Sequence, residues 1–305
     1  MKTIGITGGT GFIGHHITKL LTAQGYKVVI FTRTPTKHPE LPHVKYSFWD
    51  AERNACDNTY FPSMVAFINL AGAGIADKRW TDKRKKEIVE SRVIGTTFMI
   101  QQLKAYAPQC TTFISASATG YYGADDNGTP PFTEDSPPYT DFLANTCIQW
   151  EAAAKNAQDT MRLVILRFGI VLGKEHGAFA EFAKPMSFGI MPVLGSGGQM
   201  VSWIEVDDLA AMICHAIEHE QLKGIYNAVS PQPVTHKELV KTIAHTKGGI
   251  KIPAPVPAFA LKLVLGELST EVLKSVTVSA KKITDTGFTF RYPDIKSAVK
   301  AILKK

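Results

Sequence analysis

The chain has 305 residues, 45% of them hydrophobic and 20% charged, with a net charge of +7. That balance excludes a disordered or low-complexity protein and fits a globular chain with one large domain or two unequal ones. The positive surplus suits an anionic ligand or a nucleic acid and decides neither.

No apolar stretch reaches the length of a membrane span, and no charged-then-apolar leader precedes the first strand, so a cytoplasmic protein without membrane contact is expected. Cys56, Cys110, Cys147 and Cys214 are far apart and form no C-x-x-C pair. They read as reduced thiols, with no disulfide frame and no metal site. The densest basic run, Lys83-Arg84-Lys85-Lys86, has Glu87 and Glu90 close behind in a helical pattern. It reads as a solvated helix face, so no nucleic-acid partner is expected.

The first strand, Thr3-Ile4-Gly5-Ile6, runs into Thr7-Gly8-Gly9-Thr10-Gly11-Phe12-Ile13-Gly14 and then a helix over residues 12–24, closed by Gly25. Gly9, Gly11 and Gly14 fit G-x-G-x-x-G, and Gly8, Gly11 and Gly14 fit G-x-x-G-x-x-G. Strand, glycine turn and helix form the setting in which backbone N–H groups and the positive helix end receive a pyrophosphate. Gly8, Thr10, Gly11, Phe12, Ile13 and Gly14 are therefore candidate cofactor contacts. The second strand, residues 27–32, ends in Thr32-Arg33-Thr34 and lacks the acidic residue that holds the ribose hydroxyls of NAD. Arg33 can pair with a 2′-phosphate, and Thr32 and Thr34 can donate hydroxyls to it, which favours NADP over NAD. Lys37 and His38 are weaker contributors to the same pocket.

Residues 44–49 form a third strand, followed by Asp50, which either contacts the adenine edge or caps the next turn. Residues 65–70 form a fourth strand, ending in Asn69-Leu70-Ala71-Gly72-Ala73-Gly74. Leu70, Ala71 and Gly72 stand at its carboxyl end, where small residues let the backbone approach a ligand. A long helix over 81–104 carries Ser91 and Arg92 on its otherwise apolar side, turned either to the cofactor loop or to solvent. The fifth strand, residues 112–115, leads into Ser115-Ala116-Ser117-Ala118-Thr119-Gly120-Tyr121-Tyr122-Gly123. Ser115 is a candidate cofactor contact and Ser117 a candidate for substrate chemistry. A polar, proline-rich excursion over 125–138, with Glu134 and Asp135, borders a cleft, and a helix over 141–158 follows with Trp150 and Glu151 inside it. A sixth strand covers 163–168; the breaker-rich residues 185–200 read as loops; 201–204 is a short strand; a helix runs from 206 to about 220 past Asp207 and Asp208; the last strand is 224–229. Beyond it come a helix over 235–247, a stiff proline connector over 248–257 and short helices ending in 293–304. The expected fold is α/β, a Rossmann-type doubly wound parallel sheet with a small, mostly helical C-terminal lobe. Residues 1–230 form the dinucleotide domain, with 171–204 contributing to the substrate lobe, and 231–305 form a substrate or lid domain.

The strings at 7–14, 69–72 and 115–123 resemble the NAD(P)-dependent epimerase/dehydratase group of the short-chain dehydrogenase/reductase superfamily. Arg79-Trp80-Thr81, Ser91-Arg92-Val93, Trp150-Glu151, Gly195-Ser196-Gly197-Gly198-Gln199, Ser202-Trp203-Ile204, Val206-Asp207-Asp208-Leu209, Gly287-Phe288 and Tyr292-Pro293 are similar to one atypical branch. That branch is labelled sugar-nucleotide epimerase or cell-division-inhibitor-like, with a C-terminal domain of unknown function. The resemblance covers nearly the whole chain. It implies a seven-stranded, mostly parallel sheet of Rossmann order, a substrate lobe near the C-terminus and a nicotinamide cofactor.

The group's usual chemistry needs a Ser or Thr, a Tyr as proton acceptor, and a Lys four residues on that lowers the tyrosine pKa and holds the ribose. Ser117 matches the serine. Relatives place a glutamate four residues after the lysine; anchoring on Glu151 puts Cys147 at the lysine and Leu143 at the tyrosine. Neither can serve, and Cys147 reads as a buried thiol. Tyr292 and Lys296, the literal Y-x-x-x-K, lie in the tail, far from the fifth strand, and are rejected. Tyr121 or Tyr122 can supply a phenol near Ser117, or pack beside the cofactor. Two readings follow. One is NADP-dependent oxidoreductase or epimerase chemistry on a small carbonyl or sugar-nucleotide-like molecule. The other is an NADP(H)-binding or sensing protein that has lost turnover. The chain is expected to be a monomer or a homodimer formed through the helices over 81–104 and 141–158.

Overall fold

The computed structural model describes residues 1–125 and 130–304. In chain order the elements begin with β1 (Thr3–Thr7), α1 (Phe12–Ala23), β2 (Lys27–Thr32), β3 (Val44–Asp50), β4 (Ala55–Cys56), β5 (Met64–Asn69), α2 (Asp82–Tyr106), β6 (Thr112–Ala118) and α3 (Phe142–Lys155). They continue with β7 (Arg162–Phe168), β8 (Ile170–Leu172), α4 (Gly177–Met186), β9 (Ile190–Leu194), β10 (Met200–Val201), β11 (Trp203–Glu205), α5 (Val206–Glu218) and β12 (Gly224–Ala228). The remainder is β13 (Val234–Thr235), α6 (His236–Lys247), β14 (Ile252–Val256), α7 (Ala258–Leu265), α8 (Leu268–Leu273), α9 (Lys281–Thr284) and α10 (Ile295–Lys304).

The central sheet has the order β12-β7-β6-β5-β1-β2-β3-β4. All its pairings are parallel except the short β3–β4 edge. This is the expected doubly wound α/β fold. Side chains alternate across each strand, so both faces are apolar. Val28 and Ile30 face a core with Ile17 and Leu21 of α1 and Leu209 and Ile213 of α5. Val29 and Phe31 face the other, with Met99 and Leu103 of α2 and Ala154 of α3. Each such fully buried side chain stabilises the fold by roughly 1.5–3 kcal/mol.

The order in which the chain adds strands reverses at β1, with β2 on one side and β5 on the other. A ligand of such a sheet sits outside the carboxyl ends of the strands at this point. A third core, with Trp203, Phe179, Leu239, Ile243 and Ile302, joins α4, β9, α6 and α10, so residues before and after 230 share one interior. Two carboxylates pin the late chain to the sheet. Asp208 accepts the backbone N–H groups of Arg291 and Tyr292, both at 2.9 Å. Asp125 accepts the Thr277 N–H at 2.7 Å and its hydroxyl at 2.6 Å.

Two expectations are corrected here. Residues 185–200 are not all loop, because β9 lies within them, and the proline connector is largely β14, paired parallel to β9. Ile252 donates to Gly189 O at 2.8 Å and Gly195 to Val256 O at 2.9 Å, which sets the bonding side of the pair. Pro253 and Pro255 alternate with Ile252, Ala254 and Val256, so the prolines fall where no N–H is owed to the partner strand. Within the excursion over 125–138, residues 126–129 lie outside the described residues.

Candidate active site

The turn between β1 and α1 is packed to the limit. Gly8 has φ +70°, a conformation that favours glycine, and a Cβ there would stand 2.9 Å from the Leu70 carbonyl carbon. At Gly14 a Cβ would stand 2.4 Å from Gly8 O. Helix and strand therefore approach as only glycine allows. Gly11 caps α1 without a side-chain hydrogen bond, and the first turn holds no acidic residue. The leading N–H groups and the positive helix end are thus left to an anion. Thr10 and Gly11 are exposed at the mouth of this turn, and Ile13 is half-buried against the sheet core. The Phe12 ring lies over Gly173, where a Cβ would stand 2.2 Å from it. By geometry and charge the turn fits a pyrophosphate.

At the end of β2, Arg33 is exposed, and among the described residues no hydrogen bond or ion pair engages its side chain. Thr32 Oγ1 accepts a long bond from the Thr34 N–H at 3.4 Å, and Thr34 is exposed. The ring of His38 stacks on Tyr46 at 4.8 Å. Asp50 Oδ1 accepts the N–H groups of Glu52 at 3.1 Å and Arg53 at 3.4 Å, which is the turn-capping alternative.

The loop after β5 is held from below. Thr7 donates to Asn69 Oδ1 at 2.8 Å, and Asn69 donates to Thr96 Oγ1 of α2 at 2.8 Å. Leu70 and Ala71 are half-buried and Gly72 is exposed. Ser91 and Arg92 turn toward this loop. Ala73 N–H donates to Ser91 Oγ at 3.0 Å, and Arg92 Nη1 donates to Ala73 O at 3.0 Å. A Cβ on Gly72 would stand 3.0 Å from the Arg92 guanidinium carbon. Burial holds the Arg92 pKa below its ordinary value.

Past β6 the polar groups are closed upon one another. Ser117 Oγ donates to Glu151 Oε1 at 2.7 Å. Arg167 grips the same carboxylate with Nε at 2.8 Å and Nη2 at 2.9 Å. Arg167 Nη1 also donates to the Tyr122 hydroxyl at 2.8 Å, and that hydroxyl donates to Asn227 Oδ1 at 2.7 Å. Glu134 Oε1 accepts the Asn227 N–H at 2.7 Å. Ser117, Tyr122, Glu151, Arg167 and Asn227 are all buried. Burial would lower the Arg167 pKa, but the hydrogen bonds and charge of Glu151 outweigh it and raise the value. Burial pushes the Tyr122 phenol up to about 12 despite the nearby guanidinium. Ser115 is fully buried and its hydroxyl turns to Ala116 O at 3.2 Å, so its side chain has no face toward the cleft. Tyr121 differs: its ring is half-buried, with the Arg167 guanidinium 3.5 Å from its centre.

The first turns of α3 face the end of β6 without a phenol or an ammonium. Leu143 packs at Gly120, 3.3 Å from where a Cβ would be, and Cys147 Sγ lies 3.7 Å from Ala118 O. Burial, helped by the Glu151 charge, pushes the Cys147 thiol up to about 12. The structure thus brings together the turn at 8–14, Arg33 and the loop at 70–72 around the switch point, and Ser117 with both tyrosines beyond β6. Arg167 and Asn227 are not evident from the sequence. Their one signal there is an ionic and an amide residue inside otherwise apolar strands, which burial tolerates only with partners. Among the described residues no three His, Cys, Asp or Glu side chains are gathered to hold a metal, and no helix is long and apolar enough to cross a membrane.

Comparison with known proteins finds relatives that span nearly the whole chain. Residues 4–228 match the model of the NAD dependent epimerase/dehydratase family, and residues 256–302 match a domain of unknown function, DUF1731. The epimerase family protein YfhF of Bacillus subtilis is 37% identical over 98% of this chain and 97% of its own. The chloroplastic SDR39U1 homolog of Arabidopsis thaliana is 35% identical over 99% of this chain and 87% of its own. The crystal structure of human epimerase family protein SDR39U1 with NADPH superposes with a TM-score of 0.88 at 29% identity, covering 99% of each chain.

Proposed function

Because this chain belongs to the NAD dependent epimerase/dehydratase family, we propose that it binds NADP(H) and acts as an oxidoreductase or epimerase on a small carbonyl or sugar-nucleotide-like molecule. The observation that carries this reading is the glycine turn, where a Cβ on Gly14 would stand 2.4 Å from Gly8 O and the first N–H groups of α1 lack a cap. Gly8, Thr10, Gly11, Phe12, Ile13 and Gly14 would hold the pyrophosphate, Thr32, Arg33 and Thr34 the 2′-phosphate, and Leu70, Ala71 and Gly72 the flank of the cofactor. The human relative crystallised with NADPH supports the choice of cofactor. When bound, the dinucleotide supplies hydride chemistry at its nicotinamide. Residues 1–230 would hold it, and 231–305 with 171–204 would close over the substrate.

Of the three candidate groups past β6, Tyr121 is the one that is not fully buried, and the proton transfer is assigned to it. Ser117 and Tyr122 are buried and bonded to Glu151, Arg167 and Asn227, so they act as positioning residues. The Arg167 guanidinium stands 3.5 Å from the centre of the Tyr121 ring and holds it in place. A second reading, cofactor binding without turnover, rests on Leu143 and Cys147 at the helix positions where the tyrosine and lysine would stand. The test is consumption of NADPH absorbance across a carbonyl panel. Tyr121→Phe should abolish turnover and leave NADPH affinity unchanged. Full activity in that variant overturns the assignment, and no turnover by the wild type on any panel member favours the second reading.

A further inference from the structure

A cavity of about 750 Å³ lies between the start of α3 and the pair α7–α8. That volume suits a small ligand. Trp80, Phe142, Tyr139, Phe259 and Leu273 form its apolar walls. Trp80 and Phe142 meet edge to face, with ring centres 4.9 Å apart. The Trp80 indole N–H is engaged by Ile75 O at 2.7 Å, so the ring offers the cavity only carbon. Leu143, which packs at Gly120, belongs to the same apolar cluster and links the cavity to the end of β6.

The charges on this wall are largely engaged with one another and offer an anion few donors. Asp141, Glu267 and Glu271 stand among the lining residues with Lys262 and Lys274, and no arginine does. Lys274 is already spent: it bonds Asp141 and both oxygens of Glu271, the latter at 2.8 Å. Glu267 is held by Lys85 at 2.7 Å. The helix ends facing the cavity are acidic too, because Asp141 caps α3, accepting Ala144 N–H at 2.8 Å, and Glu267 precedes α8. A nucleoside diphosphate is bound through arginine forks, free lysines and uncapped helix N-termini. This wall supplies one free lysine, Lys262, and no arginine, and its three carboxylates are engaged by Lys274 and Lys85.

We infer that the substrate held here is an uncharged carbonyl compound with an aromatic or alkyl body, not a nucleoside diphosphate sugar. The inference rests on the oxidoreductase reading above and narrows its substrate. The apolar body sits between Trp80 and Phe142 on one side and Phe259 and Leu273 on the other.

The test uses the full chain saturated with NADP⁺ and the neutral fluorescent probe N-phenyl-1-naphthylamine. Probe emission is expected to rise to saturation and to be reversed by the aryl ketone benzylacetone. UDP and UDP-glucose should leave it unchanged. Ala258→Trp, which fills the cavity from the exposed start of α7, should weaken the probe at least about tenfold, about 1.4 kcal/mol. Leu263→Ser, on an exposed residue outside the cavity, should not. Displacement by UDP-glucose but not by benzylacetone overturns the inference. So does loss of the signal in Leu263→Ser with none in Ala258→Trp. Failure of NADP⁺ to bind, read by calorimetry in the same sample, would count against the cofactor reading alone. The probe competition, repeated without NADP⁺, would still decide the ligand class.

Discussion

The carboxyl end of β1 and the carboxyl end of β6 lie on the same edge of one sheet and are built in opposite ways. After β1, donors are left open: the first N–H groups of α1 have no cap, and Arg33 has no partner among the described residues. After β6, the polar side chains answer one another, from Ser117 through Glu151 and Arg167 to Tyr122 and Asn227. Under the proposed function the first region is completed by the dinucleotide. The second is complete as it stands, which is why the proposed function assigns its chemistry to the half-buried Tyr121 rather than to the sealed groups beneath it. Motif residues at equivalent strand ends therefore need not play the same part. Where the polar valences are filled internally, a motif hydroxyl supports the site instead of reacting in it.

The sharpest way to break this contrast is Arg167→Leu. It leaves the Glu151 carboxylate buried without its counter-charge, a loss of about 3–5 kcal/mol for a broken buried pair. A urea midpoint far below that of the wild type is expected, and an unchanged midpoint would mean the network is not closed. Next comes Gly14→Ala. Its Cβ, 2.4 Å from Gly8 O, must push the turn off α1. NADPH affinity should fall by at least about a hundredfold, roughly 2.8 kcal/mol, by calorimetry. Arg33→Ala should cost NADPH about tenfold, roughly 1.4 kcal/mol, and leave NADH untouched; an equal loss for both would mean that Arg33 does not read the 2′-phosphate.

The smallest effect belongs to Cys147. Its thiol is held up to about 12, so the thiolate forms only as the pH climbs toward that value. Iodoacetamide should not label it between neutrality and pH 9, and Cys147→Ala should cost under about 1.5 kcal/mol. Rapid labelling at pH 8 would mean that the α3 face is open and the contrast between the two strand ends is overdrawn.

The open region is legible in the sequence and the closed one largely is not. The glycines at 8, 11 and 14 and the arginine after the second strand act through backbone geometry and local order, which a linear string carries. The family resemblance likewise locates Leu143 and Cys147 through their fixed spacing to Glu151. The network past β6 depends on residues far apart in the chain: Tyr122 and Asn227 are 105 positions apart, and Ser117 and Glu151 are 34 apart. No local spacing announces such partners, and Tyr121 and Tyr122 look interchangeable until one ring is seen buried and the other is not. β9 and β14 are hidden for another reason. Pro253 and Pro255 read as chain breakers, yet their alternation keeps every missing N–H on the unpaired side of the strand.

The most direct test of the central claim is calorimetric titration of the wild-type chain with NADPH and, separately, with NADH. Tighter binding of NADPH by about tenfold or more is expected, from an open helix end that takes the pyrophosphate and an unpaired arginine that takes the extra phosphate. Binding of neither dinucleotide would contradict it, because the open donors after β1 would then have no ligand to complete them.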